Sequence, residues 1–483
     1  MASEIGNHLK IVRSCGASEC MSTAWHQLGI YFRISSTAVL RIPRPKLEKY
    51  AASSLIRAAV GQVMLTQPVM RVGIVRENSK RPQFVGLPSV DLSSQVEDAE
   101  AASTDDLARS LEKILLQPWP DLSRRPGWHV RIFHERDAAV KDVCQLRVCL
   151  TVHHAICDGL STAKFHTDLV DALNNPDPAV ALMLAKSPVV KLTDDLSDYP
   201  PPQERLIKFT ADLSWAMSQI WNNFAPSFLR PFALETWAGK PYDANIKAVH
   251  IRYLVLDSQV TQAVVQKCRE EKCTVTNLLN ALCATSLARR VPTTKRQGFV
   301  ANTSISLRPW ISQEVDFKKS SMHVCVTGYE QELGPDTLAK ARKGVDADLW
   351  ELAAELRQDM KRRTDAIPHN DFSFLAPYAG DWRNVFRARY GKPRRELWGL
   401  SNLGFITAPT YKGDWGVKSV LFAQFFPVVT SALAVNVASV KDGDMTVSLV
   451  WQHEILEMEH IEGLRDDLET WLLRLGREGT LGI

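Results

Sequence analysis

Segments with strand periodicity alternate with segments of helical periodicity along both halves of the chain. WHVRIFH at 128–134 and VCQLRVCLTVHH at 143–154 alternate as strands and predict an antiparallel hairpin. Residues 248–257 and 298–310 predict strands in the second half, separated by helical patterns. The shared strand–helix–strand order indicates an α/β protein with two related lobes, each a mixed β-sheet flanked by helices.

The 483 residues, of which 45% are hydrophobic, exceed what one ordinary core accommodates. SDYPPPQE at 197–204 is the clearest linker signal. We therefore expect an N-terminal lobe at 1–195, a linker or crossover segment at 196–245 and a C-terminal lobe at 246–483.

Three further helices are predicted with their starting points. The helix at 104–116 is expected to have Thr104 as its N-cap, and the helix after residue 257 is expected to be capped by Ser258. Residues 205–221 read as one amphipathic helix, which packs on the core or lies on a membrane surface.

Charge and cysteine usage restrict the class of partner. Lys plus Arg total 58 and Asp plus Glu total 54, which gives no argument for nucleic acid or an anionic membrane as a partner. The nine cysteines are odd in number and form no CxxC pair, so we expect free thiols in a reducing compartment. The N-terminal residues contain no apolar core of signal-peptide length, and we expect a cytoplasmic protein.

Residues 419–440 contain no charge over a length that could span a bilayer. Polar residues and a proline interrupt the segment, its second half is rich in β-branched residues, and DGD with an alternating run follows. Two buried strands and a hairpin explain this pattern better than a membrane span, so no integral span is expected.

The stretch VCLTVHHAICDGLS at 148–161 concentrates groups with chemistry at a predicted strand–turn–helix corner. Strand alternation puts His154 on the apolar face with Val152, and His153 on the other face. A neutral imidazole can accept a proton near pH 7. Asp158 can order the turn through hydrogen bonds, and Gly159 permits a positive φ or a close approach by substrate.

Three alternatives remain open for this corner. His154 and Asp158 could bind a metal, although no third ligand cluster is evident in the sequence. Cys157 could be a nucleophile, but a position three residues from His154 in the same turn does not set up that geometry. Both histidines could instead be structural.

HHAICDG resembles the HHxxxDG motif of the acyl-CoA-dependent acyltransferase superfamily, which includes chloramphenicol acetyltransferase, the plant BAHD enzymes and nonribosomal peptide condensation domains. GLSNLGFI at 399–406 and WGVKSVLFAQF at 415–425 resemble the fungal alcohol O-acetyltransferase branch. The BAHD branch carries DFGWG, whereas this chain has only GDWG at 413–416, which argues against a plant-type enzyme.

The resemblance implies a two-lobed chloramphenicol-acetyltransferase-like fold with His154 as general base in a tunnel between the lobes. It also implies that Asp158 is structural and pairs with an arginine, for which Arg308 in SISLRPW is the candidate. His153 and Gly159 would then be structural residues of the motif.

Further site residues follow from their positions. Ser401 and Asn402 lie where relatives place a donor for the oxyanion, although a Ser–Asn turn could simply satisfy backbone groups. FRARYGKPRR at 386–395 is the densest basic loop, and Arg394 and Arg395 are expected to contact the phosphates of coenzyme A unless the loop is only solvated.

The function implied by the resemblance is acetyl or short acyl transfer from acyl-CoA to the alcohol hydroxyl of a small molecule, a secondary metabolite. A monomer that needs no metal and no covalent intermediate is expected. The alternatives are an amide-forming condensation enzyme, a thioesterase and an inactive binding protein.

Overall fold

The computed structural model describes residues 9–42, 49–101, 103–136, 143–193, 195–224, 234–242, 248–291, 294, 296–315, 321–407, 415–427 and 429–483. The strands are β1 Ile11–Ser14, β2 Ile34–Arg41, β3 Val72–Val75, β4 Gln83–Gly86, β5 Ser89–Asp91, β6 Val96–Glu100, β7 Trp128–Arg136, β8 Val143–Val152, β9 Val189–Lys191, β10 Glu235–Thr236, β11 Val249–Leu256, β12 Gln297–Ser306, β13 Val326–Leu333, β14 Glu396–Ile406, β15 Gly416–Ala423, β16 Ser431–Val440 and β17 Met445–Gln452.

The helices are α1 Ala17–Gln27, α2 Lys49–Thr66, α3 Leu92–Gln95, α4 Thr104–Leu115, α5 Gly159–Asn174, α6 Pro178–Lys186, α7 Gln203–Leu206, α8 Leu213–Phe224, α9 Ser258–Glu270, α10 Val275–Arg290, α11 Pro335–Lys343, α12 Asp346–Ala366, α13 Phe372–Leu375, α14 Trp382–Arg387 and α15 Met458–Glu478.

Two large mixed sheets organise the molecule. The first has the strand order β15-β2-β8-β7-β6, in which only β6 and β7 are parallel. The second has the order β10-β12-β14-β16-β17-β11 with β13 beside β12, and its four strands β10, β12, β14 and β16 run parallel. The predicted α/β class and the predicted hairpin of β7 with β8 are confirmed.

Each sheet is covered by helices and has its own apolar core. Helices α2 and α5 pack against each other beside the first sheet, and α10 packs among α9, α11, α12 and α15 beside the second. Helix α10 is buried on nearly every side, since Leu278, Ala281, Cys283 and Ala284 are all fully enclosed. A third, small core lies around Leu206, where α7 packs near the end of β12 and α12.

Strand β15 crosses the predicted lobe boundary. It pairs antiparallel with β2, with Val417 opposite Leu40 and Leu421 opposite Thr37, so a strand from the last quarter of the chain completes the first sheet. The predicted assignment of 246–483 to one lobe is therefore wrong for this strand. Because β15 is apolar on both faces, it fits inside either sheet, and local sequence does not select one.

The predicted helix at 205–221 is interrupted. Helix α7 ends at Leu206 and α8 begins at Leu213, because Thr210 forms a bridge with His369 and accepts the backbone N–H of Asn370 at 2.8 Å. The predicted caps also shift by one residue. Ser103 caps α4 and Asp257 caps α9, each through its side chain.

The uncharged segment at 419–440 forms parts of β15 and β16, which belong to different sheets. Strand β16 then makes the expected hairpin with β17. No helix in the described ranges combines the length and the apolar character needed to cross a membrane.

Candidate active site

The motif lies at the corner where β8 ends at Val152 and α5 begins at Gly159. Strand β8 is central in the first sheet, between β2 and β7, and both of its faces are covered. Arg147, Cys149 and Thr151 are consequently as buried as the apolar residues between them. Alternation along this strand therefore does not separate an inward face from an outward one.

The two histidines differ in a way that the sequence did not predict. His153 is only 1% exposed, its Nδ1 accepts the backbone N–H of Ala155 at 3.0 Å, and its own N–H donates to Gly127 at 2.7 Å. His154 is partly exposed, with Nδ1 as its buried nitrogen. The prediction that His153 lies on the less buried face is wrong, and His154 is the more exposed of the two histidines.

Aromatic rings surround His154. Trp25 in α1 lies 6.1 Å from its ring centroid, and Tyr31 lies 5.8 Å away. Phe386 packs on Trp25 and Phe425 packs on Tyr31, with centroid distances of 5.8 and 5.2 Å. The imidazole is therefore held in an apolar wall contributed by segments far apart in the sequence.

Burial lowers the pKa of His154 below its usual value, against the opposing effect of its own backbone carbonyl and that of Cys157. The ring is therefore neutral at pH 7 and able to accept a proton. Burial raises the pKa of Cys157 well above the usual thiol value, so a thiolate at this position is disfavoured.

Asp158 anchors the corner as the N-cap of α5. Its carboxylate accepts the backbone N–H and the hydroxyl of Ser161, both at 2.9 Å, and the backbone N–H of Cys325 at 3.0 Å. Arg308 donates to both oxygens in a bidentate pair at 2.7 and 2.9 Å. Although burial alone would raise the pKa of Asp158, the charge and hydrogen bonds of Arg308 hold it well below its usual value.

The Asp158–Arg308 pair joins the two sheets. Arg308 begins the 3-10 turn that follows β12, and its guanidinium also donates to the carbonyl of His323 at 3.0 Å. The carboxylate oxygens are thus committed to protein donors, which leaves the HxxxD metal alternative without a free carboxylate at Asp158.

Gly159 is required by close packing. A Cβ at this residue would lie 2.7 Å from Leu403 of β14 and 3.0 Å from Phe422 of β15. Its φ is outside the left-handed region, so the expected alternative of a positive φ is wrong. The close approach seen here is by protein side chains, and the expected approach by substrate stays a prediction. The start of α5 therefore contacts strands of both sheets.

Ser401 and Asn402 are adjacent in β14, so their side chains lie on opposite faces of the strand. Leu403 faces Gly159, and a Cβ at Gly399 would meet the ring of Phe426, so the odd-numbered residues face the corner. Trp398 and Asn402 face the other way, where they hydrogen-bond Asn280 and Thr276 of α10 at 2.8 and 3.1 Å.

Asn402 is therefore turned away from His154, and its Oδ1 accepts the N–H of Gly404 at 2.8 Å. The predicted oxyanion role of Asn402 is wrong, and its backbone-satisfying alternative is correct. Ser401 is 8% exposed, and its hydroxyl forms no hydrogen bond with the residues that the structure describes. Ser401 therefore remains the candidate donor to the oxyanion, on the face of β14 that contacts Gly159.

Two hydrogen bonds link Asn436, the neighbour of Ser401 in the second sheet, to Tyr31, one of the aromatic residues around His154. Asn436 is the register partner of Ser401 on β16, and its Nδ2 donates to the carbonyl of Gln424 at 2.9 Å. The Oε1 of Gln424 accepts the hydroxyl of Tyr31 at 2.9 Å. The second sheet thus reaches the ring that flanks the imidazole.

The structure places Arg394 and Arg395 in other contacts. Arg394 is 4% exposed, lies over Tyr242 and donates to the carbonyl of Lys240, and Arg395 pairs with Glu330 and Glu332 of β13. These contacts do not favour the predicted contact with phosphates, which stays a prediction, because one guanidinium is buried and the other is paired with two carboxylates.

Part of the GDWG sequence, residues 413 and 414, lies outside the described residues. Trp415 is buried and exchanges two 3.0 Å hydrogen bonds with Asn174 at the end of α5. Trp415 therefore anchors the C-terminal end of α5, the helix that follows the motif.

Trp25, Tyr31 and Gln424 were missed by sequence reasoning. Tyr31 and Gln424 are 393 residues apart, so no local spacing or periodicity relates them. Only the pairing of β15 with β2, which brings residues after 415 beside the first sheet, assembles them.

The model of the family described as "Alcohol acetyltransferase" matches residues 90–464, more than half of the chain. The chain is 66% identical over 480 residues to "Probable alcohol acetyltransferase FCK4" of Fusarium pseudograminearum (strain CS3096), covering 99% of this chain and 98% of that one.

Two solved structures share the fold. The trichothecene 15-O-acetyltransferase TRI3 of Fusarium sporotrichioides matches with a TM-score of 0.69 and 13% identity, over 94% of this chain and 93% of that one. The first condensation domain of the CDA synthetase matches with a TM-score of 0.60 and 13% identity, over 98% of both chains. The predicted two-lobed fold and the predicted acyltransferase class are confirmed, and this chain belongs to the alcohol acetyltransferase family.

Proposed function

We propose that this enzyme transfers an acetyl or short acyl group from acyl-CoA to the hydroxyl of a small-molecule alcohol, with His154 as general base. The observation that supports this most is the environment of His154. Its neutral ring is partly open, its Nδ1 is buried, and the turn that carries it is fixed by the Asp158–Arg308 pair. A base needs this combination of free edge and fixed position.

The step is direct acyl transfer. The acceptor O–H gives its proton to Nε2 of His154 while its oxygen attacks the thioester carbonyl. A C–O bond forms and the C–S bond breaks through a tetrahedral intermediate. The imidazolium then returns the proton to the departing thiolate, so that an ester and free CoA are released.

Ser401 is proposed as the donor to the oxyanion of that intermediate. Its face of β14 is the one that contacts Gly159, and its hydroxyl is not committed to another described residue. A preorganised donor of this kind is typically worth about 3–4 kcal/mol in the barrier.

Exposed cations of the basic loop are the better candidates for the CoA phosphates. Arg387 and Lys392 are exposed and form no ion pair within the described ranges. Arg387 directly follows Phe386, which packs on Trp25 beside His154. We therefore propose that these exposed cations bind the phosphates at the nucleotide end of the donor.

The acceptor is proposed to be an apolar secondary metabolite that carries a hydroxyl. The rings of Trp25, Tyr31, Phe386 and Phe425 around the base suit an apolar body better than a charged one. The likeness to a trichothecene acetyltransferase agrees with this class of acceptor, although it shows the fold alone.

Product analysis tests this proposal against its rivals. The purified enzyme is incubated with acetyl-CoA or longer acyl-CoAs and a library of alcohols and amines, and products are identified by mass spectrometry. Esters that require the enzyme support the proposal. Amides alone would indicate condensation chemistry, and release of CoA without an acceptor would indicate a thioesterase. Retention of a bound acetyl group on the intact protein would contradict direct transfer.

A further inference from the structure

A carboxylate lies between two histidine rings behind the motif. Glu77 accepts Nδ1 of His26 at 2.6 Å and lies 3.4 Å from Nε2 of His153, through the same oxygen in both cases. The two rings are 5.0 Å apart at their centroids. We call His26, Glu77 and His153 the His–Glu–His cluster.

The backbone fixes the tautomer of each ring. Nε2 of His26 accepts the N–H of Trp119 at 2.9 Å, and Nδ1 of His153 accepts the N–H of Ala155 at 3.0 Å. Each neutral ring therefore carries its proton on the nitrogen that faces Glu77. The pKa of Glu77 falls to about 2 because its contacts with His153 at 3.4 Å and with His26 at 2.6 Å outweigh its burial. Burial lowers the pKa of His153 to about 4.

The same tautomers disfavour a metal in the cluster. Its ligand atoms lie within 4.8 Å of one another, which a metal ion could bridge. A ligating imidazole usually donates its second N–H to an acceptor. Here the second nitrogens already accept backbone N–H groups, so ligation would require removing the protons that Glu77 accepts.

The cluster holds the residue next to His154. A Cβ at Gly127 would lie 2.9 Å from that of His153, so the histidine is seated closely on the preceding loop. The carbonyl of His153 also accepts the N–H of Ile156 at 3.1 Å. Glu77 follows Arg76, whose φ of 55° is unusual for a residue with a side chain and indicates a tightly determined loop.

We propose that Glu77, with His26 behind it, is a positioning residue that fixes the His153 ring and through it the turn that aims His154. This inference rests on the proposed role of His154 as base. Glu77 does not touch the reactants. It acts by holding the ring whose Nδ1 orders the turn at Ala155, so that Nε2 of His154 meets the acceptor at a constant angle.

Glu77→Gln is the main test, since the amide keeps the size of the side chain and one acceptor oxygen but removes the negative charge that both ring N–H groups face. We expect kcat to fall about 10- to 100-fold, with KM for acetyl-CoA and for the acceptor within about twofold, as follows from a misplaced base. The acid midpoint of kcat/KM should stay where it is, because Glu77 does not contact His154. A rise in KM with unchanged kcat would overturn the inference.

Asp98→Asn provides a matched control. Asp98 accepts Nε2 of the buried His134 at 2.7 Å in the first sheet, away from the motif. Loss of this carboxylate should leave kcat within about twofold. An equal fall in kcat for Asp98→Asn would show a general effect of losing a His–carboxylate pair and would overturn the positioning role.

His26→Phe is a second test of the His–Glu–His cluster, and it replaces Glu77→Gln if that variant does not fold. It removes one donor to Glu77 while filling the same space, and we expect a several-fold fall in kcat with unchanged KM. A folded His26→Phe enzyme with full kcat would overturn the inference. So would one bound divalent ion per chain in the purified protein, found by elemental analysis and lost in Glu77→Gln.

The result also separates this inference from the proposed function. If His154→Ala is inactive while Glu77→Gln keeps full kcat, the general base stands and the positioning role falls. If His154→Ala keeps its activity, the proposed base itself is wrong.

Discussion

The Arg308–Asp158 pair makes a demanding prediction about stability. Asp158 is 4% exposed, and its carboxylate accepts five hydrogen bonds, two of which come from Arg308. Arg308→Met keeps an unbranched apolar stem but removes the guanidinium, so the carboxylate loses its counter-charge. Two unit charges about 4 Å apart attract by about 4 kcal/mol at an effective dielectric constant of 20.

Breaking a buried pair on one side typically costs about 3–5 kcal/mol, which agrees with this Coulomb value. We therefore expect the free energy of unfolding of Arg308→Met to fall by about 3–5 kcal/mol at pH 7 in urea titrations. The double variant Asp158→Asn/Arg308→Met should be more stable than Arg308→Met, because it has no unpaired buried charge.

The stability that the Asp158–Arg308 pair contributes should depend on pH. Because Arg308 lowers the pKa of folded Asp158, the pair stabilises the protein above the unfolded pKa of about 3.9, and this stability is lost as pH falls through the folded pKa. In Arg308→Met, burial raises that pKa instead, so the loss should be largest at neutral pH and shrink toward pH 4. A loss below about 1 kcal/mol, with additive effects in the double variant, would refute the pair as the anchor of the corner.

Three further outcomes test the site. Ser401→Ala should lower kcat about 100- to 1,000-fold if its hydroxyl stabilises the oxyanion, whereas Asn402→Ala should lower kcat less than about tenfold. Equal losses of kcat in steady-state kinetics would contradict the distinction between the two faces of β14. Gly159→Ala should lower the free energy of unfolding by about 1–3 kcal/mol in thermal or urea unfolding, because the new Cβ meets Leu403 and Phe422. An unchanged free energy of unfolding would show that the packing adapts. The acid limb of kcat/KM should have its midpoint below pH 6.5, since the pKa of His154 is lowered and its neutral form is active, and a midpoint above 6.5 would contradict this environment.

Local patterns predicted the elements that carry the motif. The strand β8, the helix α5 and the hairpins of β7 with β8 and β16 with β17 follow from periodicity, because each depends on residues that are close in sequence. Arg308 was expected beside Asp158 from the resemblance of the motif, and the structure shows that contact.

Long-range pairing set the limit of those predictions. The choice of β15 for the first sheet depends on its register with β2, about 380 residues earlier, which no local rule encodes. The relative exposure of the two histidines depends on the elements that pack over the two faces of β8, whose edges pair with β2 and β7. For the same reason Glu77, 76 residues from His153, carries no signal that relates it to the motif.

The most direct test of the central proposal is the rate of ester formation by His154→Ala, measured at saturating acetyl-CoA with the acceptor that product analysis identifies. General-base catalysis is worth about 10²–10⁴-fold, so kcat should fall by that factor while circular dichroism and thermal unfolding stay close to those of the wild type. A folded variant that retains more than about a tenth of the wild-type kcat would contradict the assignment of His154 as the base.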